Sequence, residues 1–372
     1  MRVAYLTQVD MFTDSGVRTK HIMQYNIWKK LGHSVKFFSI PFSVNYSTPI
    51  QADFDIVQFD ILLSKSLKRN SNIISLLRQI ANVINIKKSL KRYQPDIVYM
   101  RAMTWFPGLD FILRDFKVII EGNTLVREEL KASGSVVGKF LNNIGEKKIG
   151  QNIDGVIGVT DEIRKYYQSL NPNIKSITIT NGYDFNALNR KKSTKASSVE
   201  PPNLIFVGSP GLLWHGVDHY YQMARLLPDF NFHLVGPKLD ESYPQLKNFF
   251  EYGFLKKEAL NDLYLRMDIG VGTLALYRKN MNVACSLKTR EYLAAGLPVI
   301  IAHRDDDLSG RPFVLEIDNN KESVKRFILE IEEFINDWKD KVVSKELVAP
   351  LIDINTKEKL RLEFFKSVYE DQ

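Results

Sequence analysis

The sequence predicts an α/β protein of two similar-sized domains, each built on a parallel sheet. Three observations carry this. Apolar runs of strand length alternate with helical segments along the whole chain. A polar stretch with a double proline interrupts that alternation midway. A chain of 372 residues also corresponds to two domains at roughly 150 residues each.

In the first half, strands are expected at residues 3–7, 35–39, 97–100, 118–121, 156–159 and 176–180. A helix over 19–31 has Gly32 as its stop, and one over 161–170 opens on Thr160-Asp161-Glu162. Residues 189–202 are polar, end in Pro201-Pro202 and cannot build core, so they read as a linker between a first domain, 1–188, and a second, 203–345. Beyond it the pattern restarts, with strands at 203–207, 232–235, 269–271, 298–301 and 313–315. Helices follow at 218–227, 256–266, 288–295, 322–338 and 356–369. In such sheets ligands bind at the carboxyl ends of the strands.

Composition excludes several classes. With 44% hydrophobic and 25% charged residues the chain is neither disordered nor collagen-like. A single cysteine, Cys285, excludes an internal disulfide. Residues 1–10 lack the apolar core of a signal peptide, and no run approaches the ~18 apolar residues of a membrane span, so a cytoplasmic location is expected. Charge is uneven: residues 1–190 hold 26 Lys/Arg against 16 Asp/Glu, and residues 191–372 hold 25 against 27. The excess peaks between Ile61 and Arg101, where nine cations accompany one acid, Asp96, among apolar residues at helical spacing. Such a segment is either a core-packing helix with a solvated face, a peripheral contact with anionic membrane, or a phosphate-binding surface. No nucleic-acid-binding module accompanies it, so nucleic acid is not expected as a partner.

Three segments carry candidate chemistry. Thr13–Lys20 places Gly16 between the first strand and a helix, where free backbone N–H groups favour an anion; with one glycine it is neither a dinucleotide fingerprint nor a P-loop. Residues 206–218 repeat the arrangement with Gly208 and His215. The segment 284–300 is the most informative. A helix starting near Lys288 would offer backbone donors and an ammonium to a diphosphate, and Glu291, nearly one turn on, could accept from a ribose diol. Each also reads as ordinary structure: a plain turn, a structural histidine, a solvated helix face. Asp305-Asp306-Asp307 could attract a hard cation, but no metal site is expected there, and no zinc cluster or serine or cysteine nucleophile signature is present.

The segment Lys288-x-x-Glu291-Tyr292-x-Ala294-x-Gly296-x-Pro298 resembles the donor-binding signature of family 4 glycosyltransferases, retaining enzymes of the GT-B fold. Other matches follow in that family's order: Ser15-Gly16, His33-Ser34-Val35, Pro95-Asp96-Ile97-Val98, Ile157-Gly158-Val159-Thr160, Asn181-Gly182-Tyr183-Asp184, Trp214-His215-Gly216-Val217-Asp218 and Gly253-Phe254-Leu255.

The resemblance implies two Rossmann-like domains with parallel sheets facing across a cleft, and a C-terminal segment, 346–372, crossing back to the first. It also implies a UDP- or GDP-linked sugar as donor substrate with no cofactor. Glu291 would bind the ribose, and Lys288 with the backbone of Ser286 and Leu287 the diphosphate. Gly208 and His215 would form the phosphate loop, Gly253 and Leu255 would hold the base, and Gly16 would line the cleft. Glu121 and Asn123 would stand on the acceptor side, Glu121 either orienting or deprotonating a hydroxyl or serving as a structural acid. The activity implied is a metal-independent hexosyl transfer to a glycan or lipid-linked glycan, in polysaccharide biosynthesis at the inner face of the plasma membrane. Two positions depart from the pattern. Val283 stands where the family often has a second glutamate, and Ser209 and His215 stand where it has a diphosphate-clamping arginine and lysine. The alternative is a catalytically weak or inactive GT-B-like protein that binds nucleotide or glycan.

Overall fold

The computed structural model describes residues 1–13, 15–41, 53–59, 72–132, 134, 136–185 and 200–371. The chain divides into two compact units, Met1–Ile179 with Asn355–Gln372, and Thr180–Ile354.

The first unit runs β1 (Arg2–Thr7), α1 (Gly16–Lys30), β2 (Ser34–Ser39), β3 (Ile56–Gln58), α2 (Asn72–Tyr93), β4 (Ile97–Arg101), α3 (Leu109–Leu113), β5 (Val118–Gly122), α4 (Val126–Ala132), α5 (Val136–Gly150), β6 (Gly155–Gly158), α6 (Asp161–Ser169) and β7 (Lys175–Thr178). The second runs β8 (Asn203–Val207), α7 (Val217–Leu226), β9 (Asn231–Val235), β10 (Phe249–Gly253), α8 (Lys257–Tyr264), β11 (Ile269–Val271), α9 (Leu287–Ala294), β12 (Val299–Ile301), β13 (Val314–Glu316), α10 (Ser323–Arg326), α11 (Ile328–Trp338) and α12 (Lys345–Ile352). The last helix, α13 (Ile354–Glu370), lies in the first unit from Asn355 onward.

Both sheets are parallel α/β sheets, as expected. Their orders are β3-β2-β1-β4-β5-β6-β7 and β10-β9-β8-β11-β12-β13. The central strands read as apolar runs because they are buried on both faces: β1 from Val3 to Thr7, β5 throughout, β11 throughout. Right-handed crossovers send α1 to one face of the first sheet and α2, α3 and α5 to the other. Two strands escaped the sequence reading, β3 and β10. Both are edge strands, β3 half-buried throughout and β10 half-buried only at its ends with Phe250–Tyr252 exposed, so neither needs a continuous apolar run.

The sheet face bearing α1 is covered by α13. Trp28 packs edge-on to Phe365, and Phe365 lies against Tyr99. A buried ionic network fixes the pairing. Arg361 donates through Nε to Glu358 Oε2 (2.9 Å), and its Nη1 lies 3.3 Å from Glu121 Oε1 on β5. Trp28 Nε1 and Gln24 Nε2 of α1 donate to the two Glu358 oxygens at 2.8 and 3.3 Å. Charges this deep persist only when paired.

The unit boundaries differ from those read in the sequence. Residues 180–184 were expected in the first domain but belong to the second unit. There Tyr183 N–H donates to Ile352 O (2.7 Å), and Asn181 Nδ2 donates to Cys285 O (2.6 Å). Residues 346–354 were expected in the returning segment but also belong to the second unit, because Val348 and Ile352 of α12 are buried in its core. The expected linker falls almost wholly on residues 186–199, outside the described residues.

Replacing Arg361 by methionine removes one pole of the network and leaves Glu358 and Glu121 short of a counter-ion. We expect a loss of about 3–5 kcal/mol in urea unfolding. A loss below about 1 kcal/mol would show that apolar packing alone holds α13.

Candidate functional site

In the second sheet the strand order reverses between β8 and β11, the position where α/β sheets open a crevice beyond their carboxyl ends. The sequence predicts small residues there, and the backbone shows why. Gly208 N–H donates to Val235 O (3.0 Å), and Gly236 N–H donates to Gly253 O (2.8 Å). Gly208, Gly236 and Gly253 thus form a side-chain-free rim at the ends of β8, β9 and β10. Gly236 has φ +96°, and a Cβ there would meet Gly208 O at 2.1 Å, so no other residue closes the rim. The sequence reading missed Gly236, although Gly-Pro directly after an apolar strand is a usable signal.

The loop after β8 runs through a 3₁₀ turn, Leu213–His215, to Gly216, whose φ of +78° both ends the turn and starts α7. A Cβ at Gly216 would crowd Leu274 and Ala275 at 2.9–3.1 Å, because Leu274 N–H donates to His215 O (3.0 Å). The loops following β8 and β11 are therefore joined at the switch point. Arg278, from the second loop, donates two hydrogen bonds to Asp218 on α7 (2.8 and 2.5 Å), and Lys279 Nζ lies 4.9 Å from the Trp214 ring centroid. Arg278 and Lys279 thus bring two cations to this end of the sheet from a loop the sequence reading did not single out, Arg278 being paired with Asp218.

Helix α9 follows. Ser286 is its N-cap but makes no side-chain cap bond, and the first turn contains no acid. Lys288 Nζ is buried and, among the described residues, has no hydrogen-bond or ion-pair partner, although the residue as a whole is half-buried; the ammonium sits 4.0 Å above the Phe206 ring centroid. Burial lowers its pKa to about 7. Thr289 Oγ1 beside it is also unpartnered, as is His303 Nε2. His215 is driven down to about 2, first by burial and then by the charges of Lys288 and Lys279; His303 is lowered to about 4, chiefly by burial. Lys288 and His215 therefore share one positive field, while His303 feels the Lys288 charge together with the Asp305 carboxylate. Both imidazoles stay neutral there, so the charge that can answer an anion belongs to the lysine.

Glu291 projects from the next turn, half-buried, and accepts a hydrogen bond from Tyr264 (Oη to Oε2, 3.2 Å); burial raises its pKa. Tyr292 ties the same helix to the end of β8, its hydroxyl accepting from Val207 N–H at 2.7 Å. Of the predicted donor residues, Gly208, His215 and Lys288 come together at the switch point, with Ser286 and Leu287 just before Lys288 at the start of α9. Gly253 joins them through Gly236. Leu255 packs half-buried against the core cluster of the α9 side, and Glu291 lies one turn along α9.

Arg290, between Lys288 and Glu291, turns inward. It is fully buried, forms a bidentate pair with Asp305, donates to Asp307 Oδ2 (3.0 Å) and reaches Asn181 O (3.3 Å). In place of the solvated face, one of the two readings of this segment, Arg290 has a buried ion pair, served by Asp305 and Asp307, while Asp306 lies 3.3 Å from Arg304 Nε.

In the first unit, Gly16 is the first residue of α1, capped by Ser15, which accepts from Arg18 N–H (3.2 Å), and nothing lies within 4 Å of a Cβ placed on it. Glu121 and Asn123 meet at the end of β5. Glu121 is fully buried; Lys20 Nζ donates to its Oε1 (2.9 Å) and to Asn123 Oδ1 (2.7 Å), and Asn123 Nδ2 donates to Glu121 Oε2 (2.9 Å). Burial alone would raise the Glu121 pKa, but the charges of Lys20 and Arg361 and the Asn123 amide overcome it and hold the carboxyl well below its usual range. A carboxylate so committed is a poor proton acceptor. Of the roles open to it in the sequence, this arrangement matches the structural acid, a fixed charge positioning Lys20 and Asn123. Lys20 gave no sequence signal, and neither did Arg361.

Two outcomes follow. Lys288 has a lower pKa folded than unfolded, so its charge opposes folding below about pH 7, and that penalty fades as pH rises toward 10.5, where the unfolded lysine also loses its proton. Lys288→Met should therefore melt on the order of 2 °C higher than the parent near pH 7 without ligand, the gap closing by pH 10; a lower melting point would contradict an unpaired ammonium. Asp305→Asn should cost about 3–5 kcal/mol, because it leaves Arg290 buried and under-compensated; a neutral effect would return the triplet to other duties.

No protein-family model matches the chain, and no curated protein matches it in sequence. Solved structures do match along its whole length. Sucrose-phosphate synthase from Thermosynechococcus elongatus superposes with a TM-score of 0.71 at 14% identity, covering 100% of both chains. The lipopolysaccharide outer core galactosyltransferase WaaB matches with a TM-score of 0.66 at 12% identity, covering 99% of this chain and 100% of that one. An α-glucosyltransferase in complex with UDP matches at 0.62 and 12%, covering 98% and 100%. The chain thus shares the GT-B fold of these glycosyltransferases.

Proposed function

We propose that the protein is a glycosyltransferase that binds a nucleoside-diphosphate sugar at the β8/β11 switch point and transfers the sugar to a hydroxyl. The observation that carries this is Lys288: a shielded ammonium with no counter-ion, at an uncapped helix start, beside a glycine rim. A buried charge without a partner is expensive unless a ligand supplies one, and a diphosphate supplies two or more negative charges. Its arrival favours the protonated lysine. As the glycosidic bond to phosphate breaks, charge accumulates on the departing diphosphate, and Lys288 with the first N–H groups of α9 is already oriented to stabilise it. Glu291, held by Tyr264, would accept from the ribose diol.

The finer reading is a retaining, metal-independent, hexosyl-type transfer. Its support is the family 4 resemblance of the α9 segment, together with the commitment of Asp305 and Asp307 to Arg290. UDP or GDP is the expected leaving group, in keeping with the UDP held by the α-glucosyltransferase of similar fold. For the acceptor we propose a glycan or lipid-linked glycan of a polysaccharide pathway, met at the cytoplasmic membrane face; among the described residues no helix is long and apolar enough to cross a membrane. Val283 favours a second reading, a nucleotide- or glycan-binding protein of low activity. Where an acid would stand, its backbone pairs with Arg304 and its side chain has no charge to offer the sugar.

Thermal unfolding with UDP and with GDP, each with magnesium or EDTA, tests the site. A nucleotide at a hundred times its dissociation constant should add about 2.7 kcal/mol of stability. One nucleotide should give this shift equally in EDTA; a shift seen only with magnesium would overturn metal independence. Lys288→Ala and Glu291→Ala should fold normally, lose the shift and lose most transfer activity. Parental rates in either variant would remove that residue from the site.

A further inference from the structure

The first unit carries a surface that nucleotide binding does not use. The first part of helix α2 is inverted. Its inward side there is polar, with Ser75, Arg78, Gln79 and Asn82 all at most 5% exposed, while Leu77 (55%), Ile80 (40%) and Ile84 (61%) face outward; only further on do Ile86 and Leu90 turn into the core. These sit at i, i+3 and i+7, one stripe of a helix. The exposed face continues toward the helix C-terminus as Lys88, Lys91 and Arg92, and the helix contains no acid.

Helix α5 repeats the arrangement. Val136 (77%), Phe140 (64%) and Ile144 (41%) are exposed at i, i+4 and i+8, followed by exposed Lys147 and Lys148. The two helices belong to one layer on one face of the sheet. Helix α3 packs against both, Lys87 of α2 donates to Phe111 O of α3 (2.6 Å), and Gly145 of α5 lies so close to Trp105 that a Cβ would overlap it.

We infer that this layer is a docking surface for an anionic lipid bilayer, with Leu77, Ile80, Ile84, Val136, Phe140 and Ile144 entering the interface and the lysines and Arg92 meeting the headgroups. Two features select this occupant. The apolar residues are exposed and, among the described residues, uncovered, and each stripe runs into a cationic end of the same helix, which is how an interfacial helix is built. Lys91 is paired with Asp115 and Lys148 lies 4.0 Å from Asp110, so a protein partner would need acids opposite Lys88, Arg92 and Lys147 beside an apolar stripe, and a nucleic acid would make no use of exposed leucine and isoleucine. The charge-based reading of residues 61–101 is thereby narrowed: residues 60–71 lie outside the described residues, and the surface extends instead to α5, which charge alone did not mark. The inference does not depend on the donor or on the chemistry at Lys288.

Co-sedimentation of the full chain with phosphatidylcholine vesicles, with and without 30 mol% phosphatidylglycerol, tests it. Binding should require the anionic lipid, fall at least tenfold in 0.5 M NaCl, and fall at least tenfold in Ile84→Ser/Phe140→Ser and in Lys88→Glu/Lys147→Glu. All four substitutions are at exposed positions, and both variants should keep the nucleotide-induced thermal shift, which separates failure of this surface from failure of the donor site. Absence of vesicle binding, equal binding to neutral vesicles, or parental binding by Ile84→Ser/Phe140→Ser would overturn the inference. So would a dimer in light scattering that the same variant dissociates, which would give the face to a second copy. Preferential binding of an RNA or DNA oligomer, competing the vesicles off, would also overturn it.

Discussion

Buried charge organises both units, and the requirement that it be paired explains most of what lies at the ends of the sheets. In the first unit, Glu121 on β5 is held between Lys20 of α1 and Arg361 of α13, with Glu358 completing the chain to Trp28 and Gln24. In the second, Arg290 on α9 is clamped by Asp305 and Asp307. A guanidinium keeps its proton at any biological pH, so each arginine obliges carboxylates to come to it and fixes the elements that carry them. The last helix is thereby attached to its sheet, and α9 is held in one rotation about its axis.

That rotation is what gives Lys288 its character. With Arg290 drawn inward and Tyr292 tied to Val207, the residue two positions before Arg290 is carried over Phe206 at the switch point, where no carboxylate follows it. The contrast between the two cations is one of roles. Arg290 is paired within the chain and contributes to the fold; Lys288 has no such partner among the described residues. The same contrast separates Glu121, whose oxygens are all engaged, from Glu291, which one tyrosine hydroxyl holds in place.

Much of this was legible in the sequence. The strands 203–207 and 269–271 are observed at the expected bounds because they are buried on both faces, and burial of that kind leaves a continuous apolar run. Lys288, Glu291, Gly208 and His215 were visible as helix-start and strand-end residues. The rest depends on partners remote in the chain. Arg290 looks like a solvated neighbour of Lys288 until Asp305 is placed beside it. Glu121 reads equally as an acceptor-side acid and a structural one until Lys20 and Arg361 are placed beside it. The first part of helix α2 defeats amphipathic reasoning, because Leu77, Ile80 and Ile84 face out and Arg78, Gln79 and Asn82 face in, whereas Ile86 and Leu90 further on are buried as a core-packing helix requires.

The central claim is that Lys288 is largely neutral in the free protein above pH 7 and gains a proton when a diphosphate binds. Calorimetric titration with the nucleoside diphosphate at pH 8, in two buffers of different ionisation enthalpy, measures this directly. The account predicts uptake of close to one proton per nucleotide bound by the parent chain and close to none by Lys288→Met. Tight binding with no proton uptake by the parent would mean that the ammonium is already compensated in the free protein, and the assignment of the diphosphate site would fail.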